Sequence, residues 1–290
     1  MSNTEKEVDK NQYNPFESEE ASKNYANADF LYKQSADHAV NFFNPFEQGC
    51  NKVLDLGAGT GVSSEALLAT GLQDLTLIDP SASMLDKAKA RLGENAKYIQ
   101  SSAENFGDHF DHNVDVVYAL NCFHLFHNLE AIVNQLSKSL KTMGRFIFNV
   151  SMPSFYFPDL NTEEFISLKA NLEFYKSLSE FTGDNPLVKN TVDLFNKILA
   201  GDTEKIFDKK KLIDILFSVG ILFDDYKEYY IVSNADGQKV IWDLVAVCLI
   251  ENDLKRKEFF ETVKVPAKMV FRQAYFSFKF NHNLANNDSN

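Results

Sequence analysis

Long apolar runs are missing from this chain of 290 residues. The longest one, VIWDLVAVCLI, is interrupted by Asp243, and no segment reaches the length of a membrane span. The first residues, MSNTEKEVDKNQ, are polar and lack the apolar region of a secretory signal. The three cysteines, Cys50, Cys122 and Cys248, follow no zinc-binding or disulfide spacing. We therefore expect a cytoplasmic protein in a reducing compartment.

Positive charge is also scarce. The 29 Lys and Arg residues face 41 Asp and Glu residues, which leaves a formal net charge of -12. Proteins that bind nucleic acid neutralise phosphates with clustered Lys and Arg, and an acidic surface disfavours docking on anionic lipid. We therefore expect a small-molecule partner, with no nucleic acid and no membrane. The composition leaves the oligomeric state open.

The most informative segment is VLDLGAGTG, residues 53–61. Its first half predicts a buried strand, and Gly57, Gly59 and Gly61 predict a tight turn into a helix. Glycine allows the backbone to turn sharply and to approach a ligand closely, while the helix N-terminus offers free N–H groups. The dinucleotide fingerprint would require another glycine at position 62, where this chain has Val62. A different nucleotide-binding turn, or one without a ligand, is the alternative.

Asp55, two positions before the first glycine, completes a pattern that resembles the first motif of class I S-adenosylmethionine-dependent methyltransferases. The resemblance implies S-adenosylmethionine as cofactor and S-adenosylhomocysteine as product. It covers residues 50–150 well and residues 208–280 by topology only.

A second apolar strand ends at Asp79, and an acid there can accept hydrogen bonds from both ribose hydroxyls. The resemblance implies this role for Asp79, places Pro80 and Met84 beside the adenine, and places the loop after the third strand along the adenine edge. The family often has Asp where this chain has Ser102, and Met84 is equally compatible with core packing. The predicted cofactor contacts are Asp55, Gly57, Ala58, Gly59, Gly61, Asp79, Pro80, Met84, Ser102, Ala103, Glu104 and Ala119.

Strand and helix patterns alternate along residues 52–150, which requires a parallel sheet with helices on both faces. We predict an α/β fold with a Rossmann-like doubly wound sheet, mostly parallel with an antiparallel last strand, plus helical lid insertions. Ligands of such sheets lie outside the carboxyl ends of the strands. Asp55, Asp79, Ser102 and Ala119 lie at predicted strand ends, so they should converge on one crevice.

The lid insertion, residues 151–206, is rich in aromatic rings, which suit an apolar or aromatic acceptor, although at least half of them should form the insertion's own core.

The expected segments are a polar mobile N-terminus at 1–20, an N-terminal helix with the cofactor-binding core at 21–150, the helical lid at 151–206, the rest of the core at 207–280 with a second insertion near 235–268, and a frayed tail at 281–290.

His124 follows the fourth strand and is the candidate catalytic residue, because histidine can remove a proton near neutral pH. A structural role in the core is the alternative. His127 lies three residues later, but no third ligand is evident and no metal is predicted. The acceptor-side candidates are Tyr25, Tyr32, Asn121, Phe155 and Tyr156.

These patterns together predict a methyltransferase that moves a methyl group from S-adenosylmethionine to an O or N atom of a small, apolar or aromatic-containing molecule. One alternative is a C-methyltransferase on a small molecule. Another is a non-catalytic, nucleoside-binding Rossmann-like regulatory module, which the intact glycine turn with Asp55 and Asp79 disfavours. Val62 disfavours a nicotinamide oxidoreductase.

Overall fold

A computed structural model describes residues 29–126, 128–204, 206, 208–218, 221–250 and 253–281. The segment 1–20, expected to be mobile, and the tail from residue 282 onward lie outside these ranges. Those two expectations therefore stay predictions.

A mixed sheet forms the centre of the described fold. Its strands are β1 (Lys52–Leu56), β2 (Asp74–Asp79), β3 (Lys97–Gln100), β4 (Val114–Ala119), β5 (Leu140–Ser151), β6 (Ile221–Asn234) and β7 (Lys268–Phe280). They lie in the order β3-β2-β1-β4-β5-β7-β6. The first five strands are parallel, and β7 runs antiparallel to both of its neighbours. The predicted Rossmann-like α/β fold with an antiparallel last strand is confirmed.

Helices cover both faces of this sheet. The helices packed on the sheet are α1 (Asp29–Phe42), α2 (Val62–Ala69), α3 (Ala82–Leu92), α4 (Leu129–Ser139) and α7 (Lys209–Ser218). One face packs against Leu136 of α4 and Leu216 of α7, and the other packs against Ala39, Leu67 and Leu85 of α1, α2 and α3. Burial of both faces explains why the central strands are almost uninterrupted apolar runs.

Four further helices follow β5 and β6 within the described ranges. They are α5 (Thr162–Thr182), α6 (Pro186–Ala200), α8 (Ala235–Leu249) and α9 (Asp253–Thr262). Phe174 of α5 stacks on Trp242 of α8 at 4.6 Å between ring centroids and meets Phe259 of α9 edge-on at 5.5 Å. As expected, part of the aromatic content of residues 151–206 forms a local core, here shared among α5, α8 and α9.

The carboxyl ends of β1, β2 and β4 lie at one edge of the sheet. Asp55 of β1 is level with Leu77 of β2 and with Tyr118 of β4. Strand order reverses between β1 and β4, because β2 and β3 extend one way from β1 while β4 and β5 extend the other way. Ligands of open α/β sheets bind at such a reversal, so the fold positions the glycine turn at the expected crevice.

Candidate active site

Backbone geometry at three glycines shapes the turn after β1. Gly57, Gly59 and Gly61 have positive φ angles of 70°, 54° and 82°, in the region that glycine occupies without strain. The N–H of Gly57 donates to the carbonyl of Ile78 over 2.8 Å and fixes the turn against β2. A Cβ on Gly57 would lie 2.8 Å from Sγ of Cys122. The glycine turn is therefore in close contact with the loop that follows β4.

Asp55 is fully buried at the end of β1. Its Oδ2 accepts hydrogen bonds from the hydroxyls of Ser63 and Ser64 at 2.7 and 2.6 Å, which joins β1 to the start of α2. Its Oδ1 has no hydrogen-bond partner among the described residues. Burial raises the pKa of this carboxyl to about 6, because removal from water penalises the charged form.

Asp79 ends β2 and is oriented by two backbone donors. Its Oδ2 accepts the N–H of Gly59 and its Oδ1 accepts the N–H of Ser81, both at 2.9 Å. Burial raises the pKa of Asp79 above its ordinary value. An ionised carboxylate offers about four acceptor positions, so both oxygens retain capacity for hydroxyl donors such as those of a ribose.

The residues predicted around the adenine lie close to Asp79. The N–H of Ser101 donates to the carbonyl of Asp79 over 3.2 Å, which places the loop after β3 beside the end of β2. Pro80 is exposed at the same edge. Met84 is only 2% exposed, so the core-packing alternative agrees with its burial.

The remaining predicted contacts differ in exposure. Ser102 accepts a hydrogen bond from the side-chain amide of Asn105 at 3.2 Å, and Glu104 is half-buried in the same turn. Ala103 packs against the edge of a core cluster, and the side chain of Ala119 lies fully inside that cluster. Ala119 could therefore reach a ligand only through its backbone.

These residues fit S-adenosylmethionine. Asp55 Oδ1 and Thr60 Oγ1 are buried and lack hydrogen-bond partners in the described part of the chain, and such atoms are costly unless a ligand or water pairs with them. Both belong to the strand end and the turn that the sequence motif assigns to the cofactor. Asp79 would hold the ribose hydroxyls, and the glycine turn would admit close approach of the backbone.

Arg91 of α3 joins α1 to this turn. Its Nε donates to the carbonyl of Thr60 over 3.0 Å. Its Nη atoms form ion pairs with Asp29 and, at 3.3 Å, with Glu65. Because Asp29 is the first residue of α1, the guanidinium holds that helix beside the glycine turn.

A cavity of about 270 Å³ lies next to this crevice, among the ends of β5, β6 and β7, the loop after β4, and helices α1, α5, α6 and α8. Its lining residues are Leu31, Tyr32, Asn121, His124, Asn149, Val150, Ser151, Met152, Pro153, Asn171, Tyr175, Phe195, Ile231, Gln238, Ile241, Trp242, Val245, Phe271 and Gln273. Among the described residues, no Asp, Glu, Lys or Arg lines the cavity. The cavity therefore offers apolar surface and neutral hydrogen-bonding groups.

Asn121 is the centre of a polar network at the floor of the cavity. It has a positive φ of 57°, which Asn tolerates better than most residues. Its Oδ1 accepts from Ser35 Oγ, Asn149 Nδ2 and Gln273 Nε2 at 3.1, 3.0 and 2.9 Å. Its N–H donates to Asn149 Oδ1 over 2.6 Å. The network joins α1, β5 and β7 at one point and gives the floor a fixed shape.

His124 lies on the cavity wall in a short turn, Phe123–Leu125. Phe123 anchors the turn by stacking on Phe148 at 4.1 Å, and the thiol of Cys122 donates to the carbonyl of Leu56 over 3.1 Å. The imidazole retains solvent exposure at the cavity, yet the protein that encloses it lowers its pKa below the ordinary 6.5. Desolvation favours the neutral form, which can accept a proton.

The other acceptor-side candidates are distributed unevenly. Tyr32 and Asn121 line the cavity, whereas Tyr25 lies outside the described residues. Phe155 is fully buried against Phe157 and Phe276, at 5.0 and 5.7 Å between ring centroids. Tyr156 packs into a cluster between α5 and α6. The structure does not bring Phe155 or Tyr156 to the cavity.

Several lining residues were not predicted from the sequence. Asn149 is a polar residue at the end of the buried run RFIFNV, which is a usable signal for a site at a strand end. Gln238 and Trp242 lie four residues apart on α8 and therefore share a helix face. That spacing alone does not reveal which cavity the face lines.

The described residues contain no group of three or more His, Cys, Asp or Glu placed to bind a metal ion. In the same part of the chain, no helix combines the length and the apolar character that crossing a membrane requires.

Comparison with known proteins identifies a methyltransferase domain in this chain. Residues 54–148 match the sequence profile of the family described as "Methyltransferase domain". A ubiquinone biosynthesis O-methyltransferase of Erwinia tasmaniensis is 29% identical over 117 residues, which cover 39% of this chain and 45% of the relative. An uncharacterized methyltransferase of Bacillus licheniformis is 33% identical over 100 residues, covering 34% of this chain and 46% of the relative. The chain thus spans less than half the length of these curated relatives.

The fold has solved counterparts. The YcgJ protein of Bacillus subtilis superimposes with a TM-score of 0.54 at 14% identity, covering 84% of this chain and 99% of that one. At this identity the likeness concerns the fold. The profile match includes the glycine turn, Asp55 and Asp79, and the sheet order places these residues at one edge. Residues 54–148 of the chain therefore form a methyltransferase domain of the class I, S-adenosylmethionine-dependent type.

Proposed function

We propose that this chain transfers a methyl group from S-adenosylmethionine to an O or N atom of a small, neutral, apolar or aromatic-containing molecule. The observation that carries the proposal is the position of the cavity. It adjoins the loop after β4, and that loop packs against the glycine turn through Cys122 and Gly57. An acceptor in the cavity would therefore lie beside a cofactor held at the turn.

The lining supports the neutral character of the acceptor. Burial of a charged molecule without a counter-charge is strongly unfavourable, and the described lining offers none. Apolar side chains such as Ile241 and Phe271, together with the ring of Trp242, supply surface for an apolar body. Side-chain amides supply the few directional contacts that orient a small ligand.

In this proposal His124 acts as the general base. When bound, S-adenosylmethionine supplies an electrophilic methyl carbon, and its transfer leaves S-adenosylhomocysteine. The imidazole of His124 takes the proton of an acceptor O–H while an oxygen lone pair forms the new bond to carbon. Asn121 and its network keep the floor rigid, and the enclosing helices exclude water. A neutral amine acceptor would need only the positioning.

The name of the Erwinia tasmaniensis relative, an O-methyltransferase, supports an oxygen acceptor. The two insertions expected from the sequence act as a lid in this proposal. Helices α5 and α6, from residues 151–206, and helix α8, from the second insertion, close the cavity. The small-molecule acceptor and the cytoplasmic location belong to the same proposal.

The test incubates the protein with S-adenosylmethionine and a panel of neutral phenols and anilines, and quantifies S-adenosylhomocysteine and methylated products by mass spectrometry. Calorimetry with S-adenosylhomocysteine is run in parallel. Methylation of oxygen or nitrogen with cofactor binding supports the proposal. Products methylated only on carbon favour the C-methyltransferase alternative, and binding without turnover across the panel favours the regulatory module. Absence of cofactor binding contradicts the whole proposal.

A further inference from the structure

Gln238 lines the cavity and carries a buried acceptor atom that is unpaired within the described residues. The residue is only 2% exposed, and its Oε1 has no hydrogen-bond partner among the described residues. Buried side-chain oxygens are nearly always paired because an unmade hydrogen bond is costly. An exception that lines a cavity points to a partner supplied by the ligand.

The position of Gln238 is fixed by the start of α8. Asn234 caps the helix by accepting the N–H of Gly237 over 2.9 Å. A Cβ on Gly237 would lie 2.4 Å from the ring of Phe30, so glycine allows α8 to pack directly on α1. Gln238 follows at this junction and is held where the two helices meet.

The indole of Trp242 and the strand-end amides that line the same cavity are already hydrogen-bonded within the protein. Trp242, one helical turn later, stacks on Phe174 and donates its indole N–H to Asn171 Oδ1 over 3.1 Å. The amides of Asn121, Asn149 and Gln273 bond one another at the strand ends. Gln238 Oε1 is thus the buried side-chain acceptor of the described lining that lacks a protein donor.

We propose that Gln238 determines acceptor specificity by accepting a hydrogen bond from a neutral O–H or N–H donor of the acceptor molecule. This inference rests on the proposed function, because it assigns the cavity to the methyl acceptor. Sites built to hydrogen-bond a polar group discriminate strongly against analogues that lack it, since the protein group is then left unpaired. The preferred acceptors therefore carry a donor group that contacts α8.

The chain provides its own reporter for this test. Trp242 is the single tryptophan of the sequence and lines the cavity beside Gln238. Cyclohexanol and cyclohexyl methyl ether are neutral, transparent probes that differ by one O–H donor. Titration of each probe against the tryptophan emission of the full chain gives two dissociation constants.

Wild type should bind cyclohexanol about tenfold or more tightly than the ether, the scale of one buried hydrogen bond. Gln238→Met, of similar volume but without the acceptor, should bind both probes equally. Ile241→Met changes the same wall without changing polarity and should keep the preference. Equal binding in wild type, a preference retained by Gln238→Met, or no response to either probe overturns the inference.

Two further measurements keep the result interpretable. The ligand-free Gln238→Met variant should melt at or above the wild-type temperature, because an unpaired buried acceptor has been replaced by an apolar group; a lower melting temperature would mean that the amide is paired within the protein and would overturn the inference. S-adenosylhomocysteine affinity, measured by calorimetry, should match wild type in every variant. If the protein binds the cofactor normally but does not discriminate between the probes, only the proposed role of Gln238 is contradicted. If wild type does not bind the cofactor, the proposed function itself is contradicted.

Discussion

Arg272 of β7 and Glu164 of α5 form a buried two-bond ion pair. Nε donates to Oε1 and Nη2 donates to Oε2, both at 2.7 Å, and the side chains are 3% and 1% exposed. Glu164 also completes the capping box of α5 with Asn161. The pair therefore fixes the first turn of a cavity-lining helix to the central sheet.

Removal of the arginine tests this attachment. Arg272→Met should lower the free energy of unfolding by about 3–5 kcal/mol, because Glu164 would remain buried without its counter-charge. Urea denaturation measures the loss, and hydrogen exchange should locate it in α5. Lys268→Met is the matched control: its pair with Glu163 is exposed on both sides and should cost about 0–1 kcal/mol. Equal losses in the two variants would contradict the assignment.

The proposed contact of Asp79 with the ribose predicts a loss of cofactor affinity when the carboxylate is removed. Asp79→Ala should weaken S-adenosylhomocysteine binding by about tenfold or more, the cost of losing a charged hydrogen-bond acceptor. Calorimetry gives the affinity directly. Asp74→Ala changes an acid at the opposite end of the same strand, where its partner is the exposed Lys97, and should leave the affinity unchanged. If both variants bind as wild type does, the ribose is held elsewhere.

The raised pKa of Asp55 predicts a pH dependence of stability. The folded-state pKa of about 6 exceeds the ordinary 3.8, so the folded protein holds this proton more tightly than the unfolded chain does. The resulting stabilisation is fully present below about pH 3.8 and is lost as pH rises through about 6. One pKa unit corresponds to about 1.4 kcal/mol, so the full difference is about 3 kcal/mol.

Asp55→Asn isolates that contribution. The free energy of unfolding of wild type minus that of Asp55→Asn should fall as pH rises from about 4 to about 6.5 and stay level above it. Urea denaturation at a series of pH values measures both proteins. A difference that stays constant, or that grows with pH, is the contrary result.

The proposed role of His124 as general base predicts how turnover depends on this residue and on pH. His124→Gln should reduce turnover of an oxygen acceptor by about 10²–10⁴-fold, the typical contribution of general-base catalysis, with cofactor affinity unchanged. The wild-type rate should fall as pH drops through a value below 6.5, because the protein lowers the pKa of this imidazole. The variant should lose that dependence. Unchanged turnover of the folded variant would assign His124 to packing.

Local chemistry explains what the sequence could predict. The glycine spacing and the acids at two strand ends predicted the position of the cofactor crevice. This was possible because Gly57 acts through its own backbone and Asp79 through its own side chain, each at a predictable strand end. The acceptor cavity was less accessible, since its wall joins α8 to β5 across about a hundred residues of sequence. Phe155 illustrates the difficulty: its ring was compatible with a ligand or with the core, and only tertiary packing placed it against Phe276.

The sheet order also has a consequence for folding. β7 lies between β5 and β6, although both of these strands precede it in the chain. Until residues 268–280 are available, β5 and β6 each expose an unpaired strand edge, and such edges promote association with other chains. The same strand carries Gln273, which bonds Asn121 at the floor of the cavity, and Arg272, which pairs with Glu164 of α5. We therefore expect the acceptor cavity to assemble as one of the last steps of folding, after synthesis has passed β7.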